Sequence, residues 1–480
     1  MIDTKALKQK ILDLAMRGKL VPQDPNDEPV EELLARIREE RRKLEKEKKI
    51  SKVEESDIYW SDDDNCYYEK NDIPAGWSCL QLQYFSHIYT GNSLNEKEKN
   101  DLSRKLNYFY HYIATKDIDL SGNINYENGL YIPLDYNLKR AKQNSILICL
   151  EGANAGNKIG LIKEEVCFVN KLACVSPFIV MSKYIYYFFN SVTFNSEFRD
   201  NMQGIIGGIP LSKFKTLSIL IPPLQEQERI VNKIDELFRL VDKIERDQQE
   251  LEDLKKQAKD KVLELAVTGK LVKQDPNDEP ASVLLERIKA EKEKLIKEGK
   301  IKREKADLEP ISDDDKNYYR NINHSWQVCR LSNVVKLTSG CDLTANEYHD
   351  MQSKDDIPYI TGASNFINNK LIINRYANAK YCNSHLNDIL ITCKGTIGKI
   401  AINTIGDLHI ARQVMGITSF INVEFNTLLI LNIINSLQAK AKSMIPGIER
   451  NDLLKEVIAI PNLNEQDKIC HSFKLLSNLL

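Results

Sequence analysis

The sequence lacks the features of a secreted or membrane-bound protein. No apolar run approaches the roughly 18 residues that a membrane span needs. The first twenty residues alternate charged and apolar residues at helical spacing, with no small-residue cleavage site. The ten cysteines include no C-x-x-C pair, and Cys149 and Cys393 lie in apolar, strand-like runs. These features predict buried free thiols in a cytoplasmic protein.

The sequence also has few histidines and little net charge. Its seven histidines are scattered without the spacing of a zinc site, so no metal site is predicted. The formal net charge is −2 at pH 7, which argues against a strongly basic, stand-alone DNA-binding protein.

Motifs for catalysis and cofactor binding are absent as well. A P-loop would need a glycine where Cys393 stands and a Ser or Thr where Ile400 follows the lysine of "GTIGKI". The segment "IPPL" at 221–224 lacks the polar first residue and the aromatic residue that an adenine methyltransferase requires. No convincing Ser/His/Asp or Cys/His arrangement is present. These absences count against a self-sufficient methyltransferase and against an ATP-driven motor.

What the sequence does contain is a duplication. The heptapeptide "QDPNDEP" occurs at 23–29 and again at 274–280, and 18 of 27 positions are identical between 11–37 and 262–288. Four further pairs of segments match at slightly different offsets: Trp77 with Trp326, 88–93 with 337–342, 147–162 with 390–402, and 207–230 with 446–469. Between these segments the copies share almost nothing.

The two parts of the repeat diverge to different extents. The regions around "QDPNDEP" are nearly alike, whereas the blocks at 77–222 and 326–461 share a framework and differ elsewhere. This pattern is expected when the supports meet a symmetric partner and the blocks bind different ligands. The predicted domains are a helical support at 1–50, an acidic linker at 51–76, a block at 77–222, a central helical region at 223–306, an acidic linker at 307–325, a block at 326–461 and a helical support at 462–480.

The central region has the apolar spacing of a coiled coil, and it predicts one helix over 225–268. A plain amphipathic surface helix is the alternative. The segments 464–480 and 1–17 match the start and the end of this helix, so we expect them to oppose it as an antiparallel coiled coil. The predicted seam and docking residues are Ile230, Ile234, Leu237, Val241, Ile244, Leu251, Val262, Leu265, Leu7, Ile11, Leu14, Ile469, Phe473 and Leu476.

"QDPNDEP" follows a glycine suited to end a helix and precedes an amphipathic run. Pro29 and Pro280 suit a first helical turn, where a missing N–H has little effect. The motif is predicted to be a rigid connector between two helices, although its acidic residues could also contact a partner.

Polar, glycine-rich loops follow the strand-like runs of both blocks, which read as mixed α/β. Glycine allows the backbone close to a phosphate, and Lys, Arg, Asn and Gln suit phosphates and base edges. Tight β-turns are the alternative explanation. The candidate DNA-contacting residues are Thr115, Lys116, Asn154, Asn157, Lys158, Gln203, Thr361, Ser364, Asn365, Lys394, Thr396, Lys399, Arg412 and Gln413.

The two-copy layout, "GKLVPQDPNDEP", "GTIGKIAI", "GIPLSKFKTLSILIPPLQEQERIV" and "IPNLNEQDKI" together resemble the specificity subunits of type I restriction-modification systems. The resemblance covers nearly the whole chain. It implies an α+β fold, in which two target-recognition domains each read half of a split DNA site and conserved antiparallel helices separate them with internal pseudo-two-fold symmetry.

The same resemblance implies the partners. These are double-stranded DNA, two adenine-N6 methyltransferase subunits and, where present, two restriction/translocase subunits. Methylation and cleavage would reside in those partners, so the resemblance implies that this chain is a non-catalytic subunit without a cofactor. The C-terminal helix is shorter than a full second support, which is a departure from the family's layout. Two other functions remain open from the residues alone: a coiled-coil scaffold whose blocks bind protein or glycan, and a self-sufficient modification enzyme.

Overall fold

The structure is a computed structural model that describes residues 1–52, 73–101, 109–203, 207–313, 316, 319, 322, 325–440 and 447–480. The chain divides into two compact units, Met1–Gln249 (unit 1) and Glu250–Leu480 (unit 2). Most of the predicted linker at 51–76 and part of the one at 307–325 lie outside the described residues. No helix among the described residues is long and apolar enough to cross a membrane.

Unit 1 begins with two helices and continues into a mixed α/β domain. Its helices are α1 Thr4–Met16, α2 Val30–Lys46, α3 Leu82–Phe85, α4 Glu96–Asp101, α5 Ser182–Phe189, α6 Val192–Asp200 and α7 Leu211–Lys215, followed by α8 Leu224–Val267, which contributes residues to both units. Its strands are β1 Ser78–Gln81, β2 Ser86–Thr90, β3 Phe109–Ile113, β4 Tyr131–Pro133, β5 Arg140–Ala141, β6 Ile146–Cys149, β7 Ile159–Leu161, β8 Val166–Phe168, β9 Leu172–Pro177 and β10 Ser218–Ile221.

Unit 2 repeats this plan. Its further helices are α9 Ala281–Lys297, α10 Leu331–Val334, α11 Val423–Lys440, α12 Arg450–Leu454 and α13 Leu463–Leu479. Its strands are β11 Gln327–Arg330, β12 Val335–Ser339, β13 Tyr348–His349, β14 Asp356–Ile360, β15 Phe366–Ile367, β16 Lys370–Leu371, β17 Tyr376–Asn378, β18 Ile389–Thr392, β19 Ile400–Ile402, β20 His409–Ile410, β21 Val414–Ser419 and β22 Val457–Ile460.

The sheets of the two units correspond. The antiparallel order β2-β9-β6-β7 in unit 1 matches β12-β21-β18-β19 in unit 2. A second four-stranded sheet in each unit contains one parallel pair, β3 with β8 and β14 with β20. A two-stranded ribbon joins the start of each domain to its end, β1 with β10 and β11 with β22. Two repeated mixed α/β domains are therefore confirmed.

Apolar strands and helices enclose the main core of each unit. In unit 1, α5 and α6 pack an aromatic cluster against the β2-β9-β6-β7 sheet, in which Phe189 and Phe194 lie with ring centroids 4.7 Å apart. In unit 2, Trp326 lies edge-on to Phe425 of α11 at 6.1 Å. A smaller cluster fills the space between the two four-stranded sheets of each unit.

The long helix is observed at Leu224–Val267, close to the predicted bounds. In unit 1, Lys8 of α1 forms an ion pair with Asp242 at 2.6 Å, and the Ile2 amide donates to Gln248 at 2.6 Å. From Ile2 to Lys8 the contacted residue of α8 moves back from Gln248 to Asp242. α1 therefore runs antiparallel to the first half of α8.

The predicted apolar seam is buried only in part. Ile230, Ile234, Val241, Ile11 and Ile469 are buried, and Leu7, Leu14, Leu237, Ile244, Val262, Leu265 and Phe473 are half-buried. Leu251 and Leu476 are exposed in the free chain, so their place in a coiled-coil seam or a docking surface stays a prediction. Near the end of α8 the buried residues are Leu263, Ala266 and Val267, because the unit 2 domain packs on a neighbouring face.

Both copies of "QDPNDEP" form the same turn. The Asn26 amide donates to the Asp24 carboxylate at 2.9 Å, and the Asn277 amide donates to Asp275 at the same distance. The glycines that precede the motif have left-handed backbone angles, with φ +64° at Gly18 and +71° at Gly269. Pro29 and Pro280 occupy the N-cap position of the following helices, one residue before the first turn that the sequence predicted for them.

Eight cysteines of the described residues are free, and Cys79 is disulfide-bonded. The prediction of buried free thiols is therefore wrong at Cys79, and it is also wrong at Cys341, which is free but exposed. The sequence gives no signal for this bond, because connectivity cannot be deduced from spacing alone.

Candidate nucleic-acid interface

In each unit, a glycine at the matching position brings loops together at one edge of the main four-stranded sheet. Gly91 follows β2, and a Cβ built on it would lie 1.9 Å from the Phe168 carbonyl oxygen; for Gly340 after β12, the Ala411 carbonyl oxygen would be 2.1 Å away. Only glycine permits this crossing. The following amides bond across it, from Asn92 to Phe168 and from Cys341 to Ile410.

In unit 1 this edge collects three segments with predicted DNA-contacting residues. The loop after β6 carries Asn154 and Asn157, both exposed. The Gly152 amide donates to the Gly207 carbonyl at 3.1 Å, which ties this loop to the segment that carries the exposed Gln203. The short 3₁₀ helix Thr115–Asp117 follows β3 and carries Thr115 and Lys116.

One lysine in each unit fastens these loops. Lys158 Nζ donates to the Thr115 carbonyl at 2.8 Å. Lys399 Nζ donates to the Ala363 and Phe366 carbonyls at 2.9 and 3.2 Å. Both lysines follow the glycine-rich loop and reach a 3₁₀ helix. Each therefore has a structural role, which is to hold the loop and the 3₁₀ helix together.

Unit 2 gathers its candidates at the equivalent edge. Lys394 and Thr396 after β18 are exposed, and so are Arg412 and Gln413 before β21. The Cys393 amide donates to the Gln413 carbonyl at 2.8 Å, which joins the two loops.

The Arg412 side chain, 71% exposed, forms an ion pair with Asp342 at 2.6 Å. The Gln413 amide group lies against Gly362, where a built Cβ would be 2.4 Å from its Oε1, so the 361–365 turn belongs to the same edge.

Asn365 differs from the other candidates because it is fully buried. Its Oδ1 accepts the Thr361 amide at 3.0 Å, and its Nδ2 donates to Ile372 and Asn374. These bonds use the side chain to hold the turn that presents Thr361 and Ser364. Asn365 is therefore a structural residue of the loop, and its prediction as a DNA contact is not carried forward.

The sequence reasoning missed two residues that the strand register reveals. β9 and β21 occupy the same place in their sheets, so Asn170 and Lys171 before β9 stand where Arg412 and Gln413 precede β21. All four are exposed. The register aligns "FVNKLACV" with "IARQVMGI", and no position of these two segments is identical, so the sequence alone carries no signal for the match.

Three potential metal ligands meet elsewhere in unit 2, which the scattered histidines did not predict. Ligand atoms of Cys382, His385 and Asp407 all lie within 4.8 Å of one another. His385 Nδ1 is 2.7 Å from the Asp407 carboxylate and 3.7 Å from the Cys382 thiol. The three side chains thus form a hydrogen-bonded cluster at the surface, where His385 and Asp407 are mostly exposed.

Comparison with known proteins places the chain among DNA specificity proteins. A family model described as "type I restriction modification DNA specificity domain" matches residues 74–253 and 323–480. The type I restriction enzyme EcoAI specificity subunit of Escherichia coli is 33% identical over 389 residues, covering 70% of this chain and 63% of that protein. The EcoEI specificity subunit, also of Escherichia coli, is 32% identical over 386 residues, covering 69% and 62%. The matches span less than two thirds of these relatives' length.

The fold is also found in a solved structure. A chain from work on complex assembly and conformational transition of the type I R-M system has a TM-score of 0.57 with this chain. The superposition covers 85% of this chain and 91% of the other at 15% sequence identity, so this likeness concerns the fold alone.

Proposed function

This chain belongs to the family of type I restriction-modification DNA specificity proteins, and we propose that it is the non-catalytic DNA-recognition subunit of such a system. Unit 1 and unit 2 each carry a target-recognition domain, at about 77–222 and 326–461. Each domain reads one half of an asymmetric, two-part DNA site with the loops at its glycine-crossed sheet edge.

One observation supports this proposal above the others. The two edges have the same scaffold, with Gly91 and Gly340 at the crossing and Lys158 and Lys399 as loop anchors. At the position before the matching strand, however, unit 1 presents Asn170-Lys171 and unit 2 presents Arg412-Gln413. Arginine pairs with guanine edges and Gln or Asn with adenine edges, so different side chains on one scaffold suit different half-sites.

The helices supply the surface for partner subunits in this proposal. α8 would pair with the two terminal helices as an antiparallel coiled coil related by pseudo-two-fold symmetry, and two adenine-N6 methyltransferase subunits would dock on the repeated supports. Exposed apolar residues along these helices, among them Leu251, Leu254 and Leu475, favour such docking. Two restriction/translocase subunits would join this assembly where they are present.

A scaffold that binds protein or glycan is less well supported, because no feature of the two sheet edges, as far as the structure describes them, favours those ligands over DNA. The test is genome-wide methylation mapping with and without the gene, in cells that hold the methyltransferase partner. We expect an asymmetric motif of two short parts separated by a fixed spacer. A one-part or palindromic motif, or no change in methylation, would contradict the proposal.

A further inference from the structure

A strongly basic groove lies beside the reading edge of unit 1. It has a volume of about 620 Å³ and runs between the end of α2, strand β2 and the start of the 139–142 segment. We call it the basic groove and define it by its five lysines: Lys46, Lys48, Lys52, Lys139 and Lys215. The candidate DNA contacts predicted from the sequence include none of them.

The positive charge of the groove is not neutralised by the described part of the chain. None of the five lysines forms an ion pair with a described carboxylate, and Lys46, Lys48 and Lys52 are exposed. The acidic side chains nearby are already paired: Glu45 with Arg41 at 2.9 Å, and Glu47 with Lys49 at 2.7 Å. Among the described residues, the groove therefore keeps positive charge that an anionic ligand would meet.

The pKa of a histidine inside the groove reflects the same positive charge. Burial lowers the pKa of His87, and the positive charges of Lys215, Lys139 and Lys142 lower it further. Three ammonium groups are thus close enough to disfavour a fourth positive charge.

The groove is continuous with the proposed reading edge. Strand β2 forms one wall of the groove, lies at the edge of its sheet and ends at the Gly91 crossing. Lys139 joins the groove to the residues on either side of Gly91. Its backbone amide donates to Asn92 Oδ1 at 2.8 Å, and its Nζ donates to the Thr90 carbonyl at 3.0 Å. A polyanion held in the groove would therefore pass beside the loops that read bases.

Unit 2 has fewer positive charges at the positions that match the groove. Gly299 stands where Lys48 is, and Leu454 stands where Lys215 is. Lys46 and Lys52 correspond to Lys297 and Arg303 at an offset of 251. There, Arg303 pairs with Glu293 at 2.6 Å, and Arg450 pairs with Glu304. Arg303 is thus neutralised within the chain, whereas Lys297 and Lys302 of the same segment form no ion pair with a described carboxylate.

We propose that the basic groove of unit 1 binds the phosphodiester backbone of duplex DNA next to the first half-site, and that unit 2 has no equivalent contact. This inference rests on the proposed function and adds to it a phosphate clamp on one side only. A phosphate contact strengthens binding to every sequence about equally and carries no base preference.

The test compares two triple variants that remove equal charge. K46Q/K48Q/K52Q removes three positive charges from the groove, and K297Q/K300Q/K302Q removes three positive charges from the matching segment of unit 2. Both sets flank the end of one helix, so the folding effects are comparable. The full chain, assembled with its methyltransferase, is titrated with duplexes that contain or lack the recognised site at several salt concentrations.

For the groove variant, we expect the slope of log K against log[salt] to become shallower on both duplexes, by about 0.9 for each phosphate that the protein no longer neutralises. The unit 2 variant keeps the wild-type slope. Equal slopes for all three proteins, or an equal change in both variants, would overturn the inference while leaving the proposed function intact. Absence of site-specific binding by the wild-type assembly would instead count against the proposed function.

Discussion

Trp77 Nε1 donates a hydrogen bond to Glu226 Oε2 at 3.0 Å, and Trp326 makes the same bond to Glu465 Oε1 at 2.9 Å. In each unit a tryptophan at the start of the mixed α/β domain is thereby joined to the first turn of the helix that follows the domain. Its presence in both copies, whose loops differ, marks it as part of the framework.

Loss of the tryptophan donor should destabilise unit 1. The Trp77→Phe variant leaves the buried Glu226 carboxylate without its donor, and we expect the free energy of unfolding to fall by about 1–3 kcal/mol. Burial already raises the pKa of Glu226, and the tryptophan bond opposes that rise. Denaturant unfolding of Trp77→Phe, Glu226→Gln and the double variant forms a cycle that isolates the bond. Additive effects of the two single changes would show that the pair does not interact.

The first copy of the "QDPNDEP" turn should contribute to the stability of unit 1 through its second aspartate, Asp27. Asp27 accepts two bonds from Arg229 of α8, at 2.8 and 2.5 Å, and its side chain is only 8% exposed. We expect Asp27→Asn to cost about 1–2 kcal/mol of unfolding free energy, because the half-buried guanidinium loses its charged partner. Glu31→Gln on the exposed face of α2 is the control. Equal melting temperatures for the two variants would argue that the turn needs no ion pair.

Glu197 should make a contribution to the stability of unit 1 that falls as the pH rises through the acidic range. Burial raises the pKa of Glu197 to about 7, and its Oε1 accepts the Ser218 amide at 2.7 Å. The folded state therefore keeps a proton that the unfolded state releases above its ordinary pKa of 4.5. The stabilisation from this proton is complete below pH 4.5 and is lost as the pH rises to about 7.

Glu197→Gln should remove this dependence, because glutamine keeps the acceptor and cannot ionise. The difference in unfolding free energy between wild type and variant should change by on the order of 3 kcal/mol between about pH 4.5 and 7.5, in favour of the variant at the higher pH. Chemical denaturation at several pH values measures it. A difference that stays constant over this range would mean that Glu197 is already charged in the folded chain.

Much of the architecture could be predicted from repetition and apolar spacing. The long helix, the two-copy layout and the turn at "QDPNDEP" each have a local signal: a heptad pattern, an offset of 251 and a glycine followed by Asp and Pro. The grouping of Thr115, Asn157 and Gln203 needed the fold, because these residues belong to loops that only the sheet order brings to one edge.

The errors in the prediction have physical reasons. The Asn365 side chain is of a type that can contact bases, but it points inward and hydrogen-bonds to the backbone of its own loop. The periodicity of the sequence cannot distinguish these two orientations. Lys46, Lys48 and Lys52 look like a solvated helix end in the sequence, and only the fold brings Lys139 and Lys215 beside them.

The most direct test of the central claim is to determine the recognised DNA sequence after changing the paired loop residues of one unit at a time. The methylated motif is mapped for the wild type, for Asn170→Ala/Lys171→Ala and for Arg412→Ala/Gln413→Ala, each with its methyltransferase. Because a good base contact discriminates by about 1–3 kcal/mol, each double variant should relax one or more letters of one half-site, a different half for each variant, and leave the spacer unchanged. The account is contradicted if both variants relax the same half-site, or if both retain the full wild-type motif at wild-type efficiency.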